Sequence, residues 1–132
     1  VNIVDLSAWK PFAGYIAHGV GKAGLLALTR QLALELAPAV SVNAVAPGVI
    51  VTTGTKQYPP ELLDNAEKSN PLKRLGTAEE VSHLITYLAS RYADFIAGQT
   101  FYIDGGASIW GEQWFIPEDI PKYPPYPVPG RG

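Results

Sequence analysis

The chain has 132 residues, 47% of them hydrophobic, which allows one domain with a core. Ten basic and twelve acidic residues give a formal net charge of −2 with no basic run, so nothing is arranged to neutralise nucleic-acid phosphates. Cysteine is absent, which excludes disulfides, zinc–thiolate centres and a cysteine nucleophile. Methionine is absent too, so the chain reads as processed, trimmed or partial. No apolar run reaches the roughly 18 residues of a membrane span, and no basic-then-apolar leader precedes the first strand. A cytoplasmic protein that binds neither membrane nor nucleic acid is the expectation.

In chain order, residues 1–6 (VNIVDL) read as a buried strand, followed by a loop over residues 7–14. A long helix ends near Pro38, with Leu25, Leu28, Leu32 and Leu36 predicted as its apolar stripe. Residues 40–46 (VSVNAVA) form a second strand stopped by Pro47-Gly48. Strand, helix and strand in this order predict a βαβ crossover in a parallel sheet. Residues 49–58 read as a loop and residues 60–69 as a short helix with Leu62, Leu63 and Ala66 on one side. Thr77 and Glu80 have the spacing of a capping box, opening a helix with Val81, Leu84, Ile85 and Leu88 inward. Residues 100–103 form a third strand, closed by Asp104-Gly105-Gly106. Three strands are an incomplete doubly wound sheet with an exposed edge along the first. More polypeptide is therefore expected N-terminal to Val1, in a precursor or in a partner chain.

Two constellations carry chemistry. Gly19, Gly21 and Gly24 have the G-x-G-x-x-G spacing of a dinucleotide fingerprint, but the preceding strand ends about a dozen residues too early. Close packing against another helix or a ligand explains these glycines better. Asp5, His18 and Lys22 are spaced by 13 and 4, and the last two share a helix face. His83 lies on the polar side of its helix and reads as solvated, and no His and carboxylate set has metal-ligand spacing.

Around that second constellation the text Lys22-Ala23-Gly24, LTRQLALELAP, VNAVAPG, PLKRLGTAEEV and GQTFYIDGG follows in order. Together these segments resemble the C-terminal half of a short-chain dehydrogenase/reductase over residues 1–107. The resemblance implies an α/β, Rossmann-like fold, being the C-terminal half of a doubly wound parallel sheet. It also implies an NADP or NAD cofactor. By resemblance, Lys22 holds the nicotinamide ribose and, as a cation, lowers the pKa of the family's catalytic tyrosine. Pro47, Gly48 and Ile50 match the turn beside the nicotinamide, and Thr52 matches the threonine that contacts its carboxamide or phosphate. Asn43 and Asp104-Gly105-Gly106 match positions with packing roles.

Two positions depart from the pattern. His18 stands where the family has its tyrosine, and Asp5 where it has a serine. Aspartate at that position is seen in pteridine reductases, which the text NIVDLSAWKPFAGY resembles. An imidazole beside Lys22 is a possible base, and Asp5 would stabilise its protonated form. Tyr15, one turn earlier, supplies a phenol if the loop allows it. Either Asp5, His18 and Lys22 work as a catalytic set, or catalysis is lost and they are polar fill.

The expected function is thus a subunit or fragment of an NAD(P)(H)-dependent oxidoreductase, passing hydride to or from a carbonyl or imine in a pterin-like small molecule. The alternative is a non-catalytic structural partner of an active homologue. Ala23, Ala27 and Ala33 would let a second helix approach, so a homo- or hetero-oligomer is expected. Residues 108–132 form a separate extension holding six of the twelve prolines, with Trp110, Trp114, Phe115, Tyr123 and Tyr126 among them. Wrapping over a neighbouring subunit is favoured over recruitment of proline-binding modules.

Overall fold

The computed structural model describes residues 1–110. Three parallel strands make the main sheet in the order β1 (Asn2–Ile3), β2 (Ala44–Pro47) and β5 (Thr100–Ile103). Asn2 pairs with Ala44, and Ala44 to Pro47 pair with Thr100 to Ile103. Among the described residues β1 has no second neighbour, so it forms an open edge as expected. A second, two-stranded parallel ladder joins β3 (Ile50–Val51) to β4 (Gly76–Thr77).

Alternation along β2 explains the layering. Ala44 and Ala46 point to one side, with Val4 and Leu26 of helix α1 (Ile16–Glu35). Val45 points to the other, with Leu88 of helix α3 (Ala78–Leu88) and Ala93. Helices thus cover both faces of a parallel sheet, the Rossmann-like arrangement, and β2 must be apolar throughout. Asn43 is buried just before β2; its amide donates to the Ile96 carbonyl (2.7 Å) and its oxygen accepts from Gln99 N–H (3.0 Å). That ties β2 to the entry of β5, the structural role expected.

Several elements differ from the sequence expectations. The first strand ends early because the Asp5 side chain caps a 3₁₀ turn over Leu6–Ala8, although backbone pairing reaches Val4. The second strand starts at Ala44 rather than residue 40 and includes Pro47, which needs no N–H at a strand end. Helix α1 buries Leu26, Thr29 and Ala33, while Leu28 and Leu36 are exposed. Ala33 faces its own core, which removes it from the predicted helix-docking stripe; Ala23 and Ala27 remain exposed. Residues 49–58 hold β3 and a 3₁₀ turn over Thr55–Gln57 rather than a plain loop. Helix α2 (Pro60–Lys68) forms where expected, with Leu62 exposed rather than packed.

The Thr77–Glu80 capping box is present, and its strand entry is held by Arg74, whose guanidinium donates to both Glu80 carboxylate oxygens. These bonds, with the Thr77 amide, hold the Glu80 carboxyl down at about 2. After β5 the chain turns at Gly105, whose φ of +64° disfavours a side chain and whose Cα faces Asn70. The expected extension lies outside the described residues from residue 111 onward, and none of the described helices is long and apolar enough to cross a membrane.

Candidate active site

The site lies beyond the carboxyl ends of β1 and β2, where parallel α/β sheets present their crevice. Asp5 follows β1 and α1 begins at Ile16, so the 3₁₀ turn and the loop between them bring the helix start back over Asp5. His18 Nε2 lies 2.8 Å from Asp5 Oδ2. The other carboxylate oxygen, Oδ1, accepts from both the Ser7 amide (2.8 Å) and the Ser7 hydroxyl (2.5 Å). Partial burial works to raise the Asp5 pKa, but the two Ser7 bonds and the His18 ring outweigh it. The carboxyl is held below the usual carboxylate value. Asp5 is thus an anion, and an anion accepts only, so the 2.8 Å contact places a proton on His18 Nε2.

Lys22 sits one turn along α1. Its ammonium donates to the Ile3 carbonyl (2.9 Å) and lies 4.0 Å from Asp5 Oδ2, an ion pair beyond hydrogen-bond range. Asp5, His18 and Lys22 therefore converge: His18 and Lys22 share a face as their spacing predicts, and Asp5 meets them as the family resemblance implies. Asp5 and His18 border a broad cleft together with Pro47, Gly48, Ile50 and Thr52. The Thr52 hydroxyl accepts from Thr55 N–H (3.1 Å), fixing the turn after β3. Tyr15, the residue preceding α1, is half exposed; its ring meets His18 edge-on with centroids 6.2 Å apart.

The formal fingerprint glycines are all inside α1. Gly19 N–H already donates to the Tyr15 carbonyl (2.8 Å), so it is not free to cradle a phosphate. Among the described residues none of the three packs on another helix: a Cβ at Gly19 would stand 3.4 Å from the Ser7 carbonyl of the 3₁₀ turn, and Gly21 and Gly24 meet nothing. Ser7 itself was not anticipated from sequence. Its signal was Asp-x-Ser, the spacing of a side chain capping its own backbone two residues on. His83 is largely exposed, 3.9 Å from Glu79, as expected.

Residues 1–108 match a family model described as enoyl-(acyl carrier protein) reductase. A short-chain dehydrogenase/reductase of the glucose/ribitol dehydrogenase type from Brucella melitensis superposes with a TM-score of 0.75 at 34% identity, over 80% of this chain and 43% of that one. The chain belongs to the short-chain dehydrogenase/reductase family. Within it, a 4-hydroxyisoleucine dehydrogenase complexed with NADH superposes with a TM-score of 0.79 at 32% identity, covering 83% of this chain and 46% of that one. A 3-oxoacyl-[acyl-carrier-protein] reductase of Aquifex aeolicus is 38% identical over 107 residues, 80% of this chain and 43% of the relative. Glucose 1-dehydrogenase of Gluconobacter oxydans is 37% identical over 105 residues, 77% of this chain and 40% of the relative. This short-chain dehydrogenase/reductase chain thus spans less than half the length of these relatives.

Proposed function

We propose that the chain forms the nicotinamide-facing part of an NAD(P)(H)-dependent oxidoreductase acting on a carbonyl or imine carbon of a small, pterin-like molecule. The observation that carries this is the Asp5–His18 contact of 2.8 Å at the head of the cleft. A bound nicotinamide supplies or takes the hydride. Asp5 and His18 handle the proton, His18 occupying the position of the family's tyrosine. An imidazole oriented by a carboxylate hydrogen bond can give or take a proton at the cleft.

The residues present suit the nicotinamide end of such a cofactor. Pro47 and Ile50 offer apolar surface for a flat ring, the Thr52 hydroxyl a partner for an amide, and the Lys22 ammonium a donor for ribose hydroxyls. They do not suit the diphosphate, since the helix-bound glycines offer no free amides. Polypeptide beyond these residues, in the same chain or a second one, supplies that side; the open edge of β1 supports this. Residues 1–107 are the domain unit and residues 108–132 an extension of it, in an assembly of like or related subunits.

Titrating the assembled protein with NADPH and with NADH, by quenching of its tryptophan emission, tests the reading. Saturable binding in the range of about 1 μM to 1 mM is expected, and no binding of either nucleotide removes the enzyme reading. The second reading, a structural partner subunit, draws on Ile16, Val20 and Leu34 of α1, which are 82%, 68% and 78% exposed and call for cover. It gains if nucleotide binding is absent while a second polypeptide co-purifies at fixed stoichiometry.

A further inference from the structure

We propose that Ser7 is a positioning residue that decides which nitrogen of His18 exchanges the proton, an inference that rests on the oxidoreductase reading for its chemistry. Ser7 occupies Asp5 Oδ1 twice, through its amide at 2.8 Å and its hydroxyl at 2.5 Å. The carboxylate therefore cannot rotate without breaking both bonds, and Oδ2 is left for the histidine ring. Lys22 does not compete for that oxygen by hydrogen bonding, because its ammonium stands 4.0 Å away and donates to the Ile3 carbonyl.

The consequence follows from valence. Nε2 carries the proton it gives to Asp5, so on the neutral ring Nδ1 holds the lone pair. Nδ1 makes no hydrogen bond among the described residues, and the His18 side chain is 49% exposed at the cleft. Nδ1 is the working atom. In the reducing direction the ring starts as imidazolium and Nδ1–H passes its proton to the oxygen or nitrogen of the reduced substrate. The ring is left neutral with Nε2–H still on Asp5, and water returns the proton to Nδ1. In the oxidising direction Nδ1 takes the proton instead. The family's tyrosine has one hydroxyl and no such choice, so the replacement by histidine creates a need that Ser7 meets. The Ser7 carbonyl also rests against Gly19, next to His18, which keeps the turn and the helix start in register.

The chain has two histidines, so ¹⁵N-histidine labelling gives two rings to read. Long-range ¹H–¹⁵N spectra of the full chain, recorded where both rings are neutral, report the tautomer of each. The expected result is a single Nε2–H form for His18, against the mixture of a solvated ring for His83. Ser7→Ala shifts His18 toward the His83 pattern, Ser7→Thr restores the single form, and His83 is unmoved throughout. A His18 ring already like His83, an Nδ1–H form, or a pattern unchanged in Ser7→Ala each overturns the proposal. These spectra need no nucleotide. A failure of NAD(P)(H) binding therefore strikes the oxidoreductase reading, whereas a failure here strikes Ser7 alone.

Discussion

On the oxidoreductase reading proposed above, replacing Asp5 with alanine is expected to lower reductase turnover by about 10²–10⁴-fold, the span of a general acid–base contribution, while NADPH affinity stays within a few-fold. The reason is geometric. Asp5 is the hydrogen-bond partner of the His18 ring, and it borders the cleft without supplying its apolar wall. Without it, His18 loses the hydrogen bond that orients its ring. The variant also changes acid stability, in a direction set by the lowered Asp5 carboxyl. A carboxyl that titrates lower in the folded state contributes stability above the ordinary value of 3.8, and this is lost as pH falls through the lower folded value. Wild type and Asp5→Ala should therefore differ in thermal midpoint near neutral pH, with this contribution disappearing in strong acid. Steady-state NADPH oxidation, with a 7,8-dihydropterin and an aryl aldehyde as probes, and thermal melts against pH measure the two effects.

Replacing Gly48 with alanine is expected to destabilise the fold by about 1–3 kcal/mol, as overpacking does, and, on the oxidoreductase reading, to weaken nucleotide binding with it. A Cβ at this position would stand 2.9 Å from Asp104 Cα, 3.1 Å from its Cβ and 3.2 Å from its carbonyl oxygen. Backbone cannot swing aside as a side chain can. The Asp104 backbone is fixed by the pairing of Pro47 with Ile103 and by Gly48 N–H donating to the Ile103 carbonyl at 3.0 Å. The carboxyl ends of β2 and β5 must therefore part, and the turn bordering the cleft moves with them. Gly76→Ala provides the contrast: its nearest neighbour is Ile50 Cδ1 at 2.5 Å, the tip of a side chain that can rotate. Thermal midpoints and NADPH titrations of both variants should rank Gly48→Ala as clearly the worse. Equal behaviour would mean that the β2–β5 ends are not closely held.

Much of the fold was legible because some segments carry their own instructions. Thr77 and Glu80 announce the start of α3, and its inward residues repeat with helical spacing on a sharply two-sided helix. The crossover from β1 through α1 to β2 followed from element order alone. The stripe of α1 was misread for a physical reason. Leucine, alanine and valine run almost all round this helix, so several stripes fit the spacing, and the sheet, rather than the sequence, selects Leu26, Thr29 and Ala33. The short strands β3 and β4 pair two residues each, too few for any alternation to register.

Legibility at the site divides along the same line. His18 and Lys22 share a face by helical geometry, which spacing alone predicts. That Asp5 meets them across an intervening turn and loop came from resemblance to the family, because no periodicity spans that loop. The glycine fingerprint was discounted for its distance from the preceding strand, and its place inside helix α1 rather than at a strand end agrees. Ser7 was missed because its bonds to Asp5 need the 3₁₀ turn, which emerges only when the first strand is cut short by that same carboxylate.

The most direct measurement of whether Asp5 and His18 act as one proton-handling unit is a double-mutant cycle on turnover, with Asp5→Ala, His18→Gln and the two combined, each at saturating NADPH. If they form one unit, His18→Gln alone costs about 10²–10⁴-fold, and the combined variant loses little more than either single one. Undiminished turnover in His18→Gln, or losses that multiply in the combined variant, would contradict it.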